Sequence, residues 1–282
     1  ISGAATVTGN TVRNLSVAAP ITTTLSTASA IGIYYATATA PNIVSQNAIS
    51  EITNTAVGSP APIVNVIGLY MNGATGGSNV VDRNFVYNLG ASTTNRQSSL
   101  IGICAAGGLT AYRNNMVRLG YLTTGALTTE FEIEGIYKTA ATAQNYYFNS
   151  VSIGGTGVGS GSSMTYAFRR NDITADDIRN NIFVNDRSNA GGGGKHYAFM
   201  HSAATISNSD YNIFNAGGTG GTLCSLDGGT TDILTLTALR LAFAGQELNS
   251  GVGSPNYADP TNLSAPDLHV VTPTAAEGAG IA

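Results

Sequence analysis

The sequence predicts an all-β fold, a parallel β-helix of about seven coils, because two short phrases recur along it in phase. The first phrase begins with Asn and returns seven times at spacings of 31 to 37 residues. Its asparagines are Asn10, Asn47, Asn84, Asn115, Asn149, Asn181 and Asn212. The second phrase follows each of the first six asparagines and is centred on Gly32, Gly68, Gly102, Gly135, Ala167 and Ala198. Two phrases in phase indicate one structural unit stacked on itself.

Each phrase has the alternation of a short strand, as in residues 84–89 (NFVYNL), where successive side chains point to opposite faces. Gly-rich turns such as Asn72-Gly73 and Gly107-Gly108 separate the strands. No long amphipathic helix fits within a repeat, and a propeller blade needs about 40 residues or more. A parallel β-helix remains, in which each coil rises by about 4.8 Å.

The stacking assigns structural roles to both columns. An inward Asn at the bend of each coil can donate to one neighbouring coil and accept from the other, so the seven asparagines are expected to form a ladder of buried amides. The Gly and Ala column is expected to mark a tightly packed place where only a small side chain fits.

One short helix is predicted between the last coil and the C-terminus. Asp232 or Thr235 can cap its start, and Gly245 can end it. Three apolar residues share one of its faces: Leu236, Leu239 and Phe243. Because an open β-helix end exposes strand edges and core, this helix is expected to cover the C-terminal mouth.

We divide the chain into repeats at 1–231 and a cap helix with a closing segment of the same domain at 232–282. The chain begins at Ile1 with neither an initiator Met nor a signal peptide. This indicates a mature product or an excised segment of a longer protein. The N-terminal end has no comparable cap, so either an earlier domain continues the stack or this end is an assembly surface for further copies.

Composition excludes some partners. Only 10% of residues are charged, the net charge is −4, and Lys occurs only at Lys138 and Lys195, which argues against a nucleic-acid partner. Membrane insertion is not expected, because no apolar run of about 20 residues exists. Cys104 and Cys224 match no metal-ligand spacing. We expect two buried thiols, with a single disulfide as the alternative.

Several stretches resemble the terminal coils of right-handed, pectate-lyase-like β-helix regions in very large secreted proteins of Gram-negative bacteria that use the type IX secretion route. The stretches are 145–151 (NYYFNSV), 179–185 (RNNIFVN), 194–198 (GKHYA) and 209–212 (SDYN), and the ending at 257–260 (YADP) and 267–270 (DLHV) is also similar. Residues 273–280 depart from the last motif of that family. The resemblance implies a right-handed β-helix in an extracellular or cell-surface location. It implies no particular reaction.

The densest group of ionisable residues lies before and within the sixth Asn phrase. Asp172, Asp176 and Asp177 could bind Ca²⁺, or could serve a polysaccharide lyase or glycoside hydrolase together with Arg179. The alternative is a solvated turn whose charges pair locally. His196 is the best histidine for acid–base chemistry, but it also belongs to a repeated structural phrase.

Two further columns suggest a ligand surface. Arg83, Arg113 and Arg118 recur near corresponding places of adjacent coils and could form a weakly basic stripe for an acidic glycan, or could be isolated exposed arginines. A second column, interrupted by Cys104, consists of Tyr34, Tyr70 and Tyr137. If these tyrosines face outward they form a stacking platform for sugar rings, and if they face inward they are core.

Four segments of variable length, 90–99, 120–130, 154–163 and 186–194, each lie between an Asn phrase and the next Gly phrase, so we expect them on one side of the rod. Three functions stay open. The leading hypothesis is a non-catalytic extracellular stalk or adhesive module that binds a polysaccharide or another cell-surface ligand. The alternatives are a polysaccharide lyase or glycoside hydrolase, and a self-assembling filament or surface-layer subunit. No cofactor is expected apart from the Ca²⁺ alternative.

Overall fold

A computed structural model describes residues 3–20, 25–159, 161–202 and 208–280. Ile1, at the predicted uncapped end, lies outside the described residues, as do residue 160 in the third variable loop and residues 281–282 in the closing segment. The described chain forms a parallel β-solenoid of about seven coils with one short helix near its C-terminus. The predicted fold class is therefore confirmed.

Every coil contributes one strand to each of three sheets. In coils 1 and 2 these are β1 (Thr6–Thr8), β2 (Thr11–Val17), β3 (Ala30–Ala36), β4 (Asn42–Ser45), β5 (Ala48–Asn54) and β6 (Asn65–Asn72). In coil 3 they are β7 (Asn79–Asp82), β8 (Phe85–Ala91) and β9 (Ser99–Gly107). Coil 4 has β10 (Thr110–Arg113), β11 (Met116–Leu119), a small hairpin of β12 (Tyr121–Leu122) and β13 (Gly125–Ala126), and then β14 (Glu132–Lys138).

The later coils have the same plan. Coils 5 and 6 consist of β15 (Asn145–Tyr147), β16 (Ser150–Ile153), β17 (Thr165–Arg170), β18 (Asp177–Arg179), β19 (Ile182–Asn185) and β20 (His196–His201). Coil 7 has β21 (Asn208–Asp210), β22 (Ile213–Asn215) and β23 (Gly221–Leu226). The C-terminal part adds β24 (Thr231–Ile233), α1 (Leu236–Ala242), β25 (Gly251–Val252), β26 (Tyr257–Asp259) and β27 (Asp267–Val270). A 3₁₀ turn, Leu25–Thr27, precedes β3.

Equivalent strands pair into three parallel sheets that run along the rod. Sheet A is β1-β4-β7-β10-β15-β18-β21, and sheet B is β2-β5-β8-β11-β16-β19-β22-β25. Sheet C runs from β3 through β6, β9, β14, β17 and β20 to β23, where β24 joins it antiparallel. The inward side chains of all three sheets form one continuous apolar core, which ends in a stack of phenylalanines at the C-terminal coils.

The asparagine ladder is confirmed, and it lies at the start of sheet B. Each amide nitrogen donates to the Oδ1 of the next asparagine, over 2.8 to 3.1 Å from Asn10 to Asn212. The same Oδ1 also accepts a backbone N–H from the preceding asparagine, as from Asn84 to Asn115 at 3.0 Å. Asn10 is exposed, whereas the other six are buried, so the ladder satisfies amides that would otherwise be costly to bury.

Beyond Asn212 the ladder ends on side chains of the C-terminal segment. The Asn212 backbone N–H donates to the Ser250 hydroxyl at 2.8 Å, and its amide nitrogen lies 3.2 Å from Glu247 Oε2. Ser209 and Ser250 donate their hydroxyls to the Glu247 carboxylate. Burial raises the pKa of Glu247. Sequence reasoning missed this terminus, because Glu247 and Ser250 do not repeat the Asn phrase.

A second polar column lies inside the start of sheet A and was also missed. Asn42 donates to Asn79 Oδ1 at 2.6 Å, and the backbone N–H of Gln144 donates to Asp176 Oδ1 at 2.8 Å. Thr110 stands between these pairs and is too short to join them. Because the residue type changes from coil to coil, this column has no repeated letter by which the sequence could indicate it.

The Gly column packs directly against sheet B, as expected. A Cβ on Gly68, Gly102 or Gly135 would overlap a valine methyl group on sheet B and a backbone carbonyl of the next coil. The facing column changes from Val117 and Val151 to phenylalanine at positions 183 and 214. Ala replaces Gly at Ala167 in coil 5 and at Ala198 in coil 6, one coil before each of these phenylalanines.

We expect the Gly102→Ala variant to be destabilised by about 1–3 kcal/mol, because overpacking forces the core to shift. The free energy of unfolding in denaturant measures this. Gly76→Ala is the matched control, since its Cβ would meet nothing within 4 Å. A companion Val117→Ala change should recover only part of the loss, because the Gly135 carbonyl still opposes the new Cβ. Equal stabilities of the Gly102 and Gly76 variants would contradict the packing argument.

The cap helix is confirmed. Thr235 caps it by accepting a hydrogen bond from the Ala238 N–H at 3.2 Å, and Gly245 follows it with φ of +88°. Leu239 and Phe243 are buried against the end of the core, where the Phe243 ring lies 6.0 Å from that of Phe199. The helix therefore closes the C-terminal mouth.

Two remaining expectations concern the thiols and the membrane. Cys104 and Cys224 are buried free thiols, as expected, and burial raises the pKa of both. Among the residues that the structure describes, no helix is long and apolar enough to cross a membrane.

Candidate functional site: the bend groove

The residue before each ladder asparagine forms a column of its own at the bend between sheets A and B. All seven of these residues have φ between +52° and +68°. They are Gly9, Gln46, Arg83, Asn114, Phe148, Asn180 and Tyr211. The bend requires this left-handed conformation, which Gly and Asn adopt readily and bulky residues rarely do.

Three members of the column line an open groove of about 490 Å³, which we call the bend groove. Its walls are Arg83, Asn114 and Phe148 from the column, Phe85, Met116 and Ser150 from sheet B, and His269 from β27, with Asn84 beneath. A second depression on the sheet A side is lined by the same three column residues with Asp82, Arg113 and Tyr147. Phe148 is 49% exposed, so an aromatic face is open to solvent beside polar groups.

Asp82 ties together the polar side chains of this surface. Its carboxylate lies 2.8 Å from Arg83 Nε and 3.6 Å from Arg113 Nε, and it accepts a hydrogen bond from Asn114 Nδ2 at 3.3 Å. Both arginine side chains remain about half exposed. The surface thus presents an amide donor and two guanidinium groups. Asp82 partly compensates the charge of the guanidinium groups.

Arg118 does not belong to this exposed pair. It is fully buried under the C-terminal segment, where Nε and Nη2 donate to the carbonyls of Pro260 and Asn262 at 3.0 and 2.9 Å. Nη1 donates to Asn88 Oδ1 at 2.6 Å, and the guanidinium stacks on Tyr121. Burial lowers its pKa to about 10. The predicted stripe of three arginines therefore reduces to Arg83 and Arg113.

The tyrosine column lies on the outer face of sheet C, in a cluster separate from the main core. The rings of Tyr34 and Tyr70 stack 5.0 Å apart, which leaves Tyr34 46% exposed and Tyr70 buried. Tyr137 is half-buried under the Arg169 guanidinium, 4.9 Å from its ring. The tyrosines face outward, but only Tyr34 offers much free surface.

The predicted acidic group is divided between the interior and the surface. Asp176 is fully buried, with Oδ2 3.1 Å from Lys138 Nζ and in contact with Arg170 Nε. Asp172 also contacts Lys138. Partial burial acts to raise the pKa of Asp172, but hydrogen bonds from Lys138 and Thr174 outweigh it, and the pKa lies below its ordinary value.

Asp177 and Arg179 lie instead on the outer face of sheet A. The two side chains pair at 2.6 Å, and the Tyr147 hydroxyl donates to Asp177 at 2.8 Å. Among the described residues, no three His, Cys, Asp or Glu side chains are close enough to hold a metal ion. The predicted Ca²⁺ ligands are thus not brought together.

His196 is buried inside the solenoid. Its ring nitrogens face Thr165 Oγ1 at 2.9 Å and Asn189 Oδ1 at 3.0 Å. Burial, and secondarily the charge of Arg187, lower its pKa to about 4. A neutral ring enclosed by these partners cannot reach a polymer substrate.

The variable loops lie on one side of the rod, as predicted, because each connects a sheet B strand to the next sheet C strand. They contact one another, as in the ion pair of Arg96 with Glu130. The bend groove lies at a different corner. Sequence reasoning missed Asn114 and Phe148, although their place just before a ladder asparagine was a usable signal. Nothing in the repeats indicated His269.

Comparison with known proteins gives no match to a family model, to a curated protein or to a solved structure. The fold and the groove define the chain as a parallel β-solenoid with an open aromatic and polar groove along one bend.

Proposed function

We propose that this chain is a non-catalytic, extracellular β-solenoid module that binds a saccharide in the bend groove. The observation that carries the proposal is the exposed row of Arg83, Asn114 and Phe148, in which two bulky side chains occupy left-handed backbone positions. The surface location and the likeness to proteins of the type IX route belong to the proposal, and they are supported by the resemblance in sequence alone.

The backbone conformation makes this row informative. A left-handed residue other than Gly costs roughly 1–2 kcal/mol, and Gly9, Asn114 and Asn180 show that the bend accepts residues of lower cost. Arg83 and Phe148 occupy the same bend and point into the groove. Gln46 and Tyr211 have the same conformation outside the groove, so the argument for Arg83 and Phe148 combines the strain with their exposed place in the groove lining.

The groove chemistry suits a sugar. The open Phe148 ring can stack against the apolar face of a pyranose, while planar guanidinium and amide groups donate to its hydroxyls. From Arg83 to Phe148 the row spans two coil rises, about 10 Å. A short oligosaccharide segment lying along the rod axis would contact all three side chains.

Charge favours an uncharged saccharide over a polyanion. Asp82 lies beside both Arg83 and Arg113. A ligand with many carboxylates would therefore be repelled by Asp82, or would have to displace it from the two arginines. Binding is therefore expected to change little with salt concentration, because few counterions are released.

The test is calorimetric titration with a panel of neutral and acidic oligosaccharides. Against the best ligand, Phe148→Asn should weaken binding by at least about tenfold, the loss of roughly 1.4 kcal/mol of stacking. The same variant should be as stable as the parent or up to about 1 kcal/mol more stable, because Asn is favoured in this backbone conformation.

Gln46→Ala is the control, since Gln46 occupies the same column one coil before Arg83 and does not line the groove. Binding that survives Phe148→Asn intact, or a panel in which nothing binds, would refute the proposed site.

The two other hypotheses have less support. The carboxylates proposed for a lyase or hydrolase are paired with Lys138, Arg170 and Arg179. Release of products from any polysaccharide would support the enzyme hypothesis instead. Filament growth by end-to-end stacking needs two open ends, and α1 closes the C-terminal one.

A further inference from the structure

The C-terminal segment folds back along the outside of sheet B. After β25 extends sheet B beside β22, the chain returns over the outer faces of earlier coils as the antiparallel hairpin β26–β27. Tyr257 and Leu268 pack there on Met116, Ile182 and Val184. Two strands alone are marginally stable in water, so the hairpin depends on what holds it to the solenoid.

Two side chains of the solenoid bind the segment between its strands. Arg118 donates to the carbonyls of Pro260 and Asn262, and Asn88 Nδ2 donates to the carbonyl of Leu263 at 2.7 Å. Arg118 also donates to Asn88 Oδ1, which orients both donors. Asp259, on β26, also acts on this guanidinium electrostatically. The hydrogen bonds of the guanidinium go to the two carbonyls and to Asn88.

The hairpin brings one side chain to the bend groove. His269, on β27, is 75% exposed, donates from Nδ1 to Asp267 Oδ1 at 2.6 Å, and lines the groove together with the column residues. The groove wall on this side therefore comes from a segment more than 140 residues away from Arg118 in the chain.

We propose that Arg118 is a positioning residue for the saccharide site: it fixes the C-terminal hairpin on sheet B and so places His269 in the wall of the bend groove. The inference rests on the proposed function for its ligand. An Arg is needed because its fork reaches two carbonyls and the Asn88 amide at once, whereas the ammonium group of Lys is a compact point charge.

Two measurements test this. Hydrogen exchange should show that Arg118→Met increases exchange across 257–270 by at least about tenfold, with the amides of the asparagine ladder unchanged. Asn88→Ala should give a smaller increase in exchange. This variant tests the same contact if Arg118→Met fails to fold. Arg13→Met is the matched control, because Arg13 occupies the same outward column in coil 1, where it is exposed.

The second measurement is a double-mutant cycle on saccharide affinity. Arg118→Met and His269→Ala should each weaken binding by about fivefold, and the pair together should weaken it no further. Arg118→Lys should fall between the parent and Arg118→Met. Unchanged hairpin exchange, or losses of affinity that multiply, would overturn the positioning role.

The outcomes separate the two proposals. A parent protein that binds no saccharide while Arg118→Met releases the hairpin would overturn the proposed function and leave Arg118 as a holder of the hairpin alone. If the parent protein binds a saccharide and Arg118→Met leaves hydrogen exchange in the hairpin unchanged, only the positioning role is overturned.

Discussion

The Lys138→Met variant is expected to lose about 3–5 kcal/mol of its free energy of unfolding. Lys138 is fully buried inside the solenoid, where it contacts Asp172 and lies 3.1 Å from Asp176. Removing the ammonium group leaves two carboxylates to share the single guanidinium of Arg170. An uncompensated charge in a water-poor interior is the cause of the loss. Urea or guanidinium unfolding at neutral pH measures it.

The control and the rescue both lie within the chain. Lys195 forms an ion pair with Asp232 at the surface, with a side chain 43% exposed, so Lys195→Met should cost no more than about 1 kcal/mol. Adding Asp172→Asn to Lys138→Met should restore part of the stability, because one acid then remains for one base. A loss below about 1 kcal/mol in Lys138→Met would show that the cluster is not electrostatically coupled.

Asn115→Ala is expected to cost about 3–5 kcal/mol as well, through unsatisfied polar groups instead of charge. The Asn115 amide accepts from the N–H and the Nδ2 of Asn84 at 3.0 and 2.9 Å. It donates to the Val81 carbonyl at 3.0 Å and to Asn149 Oδ1 at 2.9 Å. All four bonds disappear together in a position that water cannot reach.

The ladder supplies its own control, since Asn10→Ala changes the same kind of amide at the exposed first coil, where water replaces the lost bonds. That variant should cost about 1 kcal/mol or less. Asn115→Leu keeps most of the side-chain volume, so a loss close to that of Asn115→Ala would assign the effect to hydrogen bonding. Similar stabilities for the Asn10 and Asn115 variants would contradict the buried ladder.

Neighbours in a solenoid lie one period apart in sequence, and this explains which features could be predicted. The asparagine ladder, the glycine column and the common side of the variable loops all follow from a repeat of 31 to 37 residues. The cap helix could be predicted from local signals, because Thr235 and Gly245 act on the backbone next to them.

Only part of the candidate site could be predicted from the sequence. Arg83 and Arg113 were predicted from the repeat, but the repeat could not indicate that Arg118, in a nearby outward position, would be covered. Its cover comes from carbonyls 142 and 144 residues away, and such a contact has no period. The predicted acids failed to meet because Asp176 and Asp177 are consecutive at the start of β18, so one side chain is buried inside the solenoid and the other lies on its outer face.

By itself the sequence determined the coil: the strand positions, the inward column of amides, the small residues that let sheets approach, and the helix that closes one end. Apart from the helix, which follows from local capping signals, these features arise between a residue and the equivalent residue of the next coil, so repetition encodes them. Only the tertiary structure decided the outer surface, where the returning hairpin buries Arg118 and brings His269 beside Phe148. That arrangement depends on how a single non-repeated segment packs on the finished solenoid, because its contacts are made once and leave no pattern along the chain.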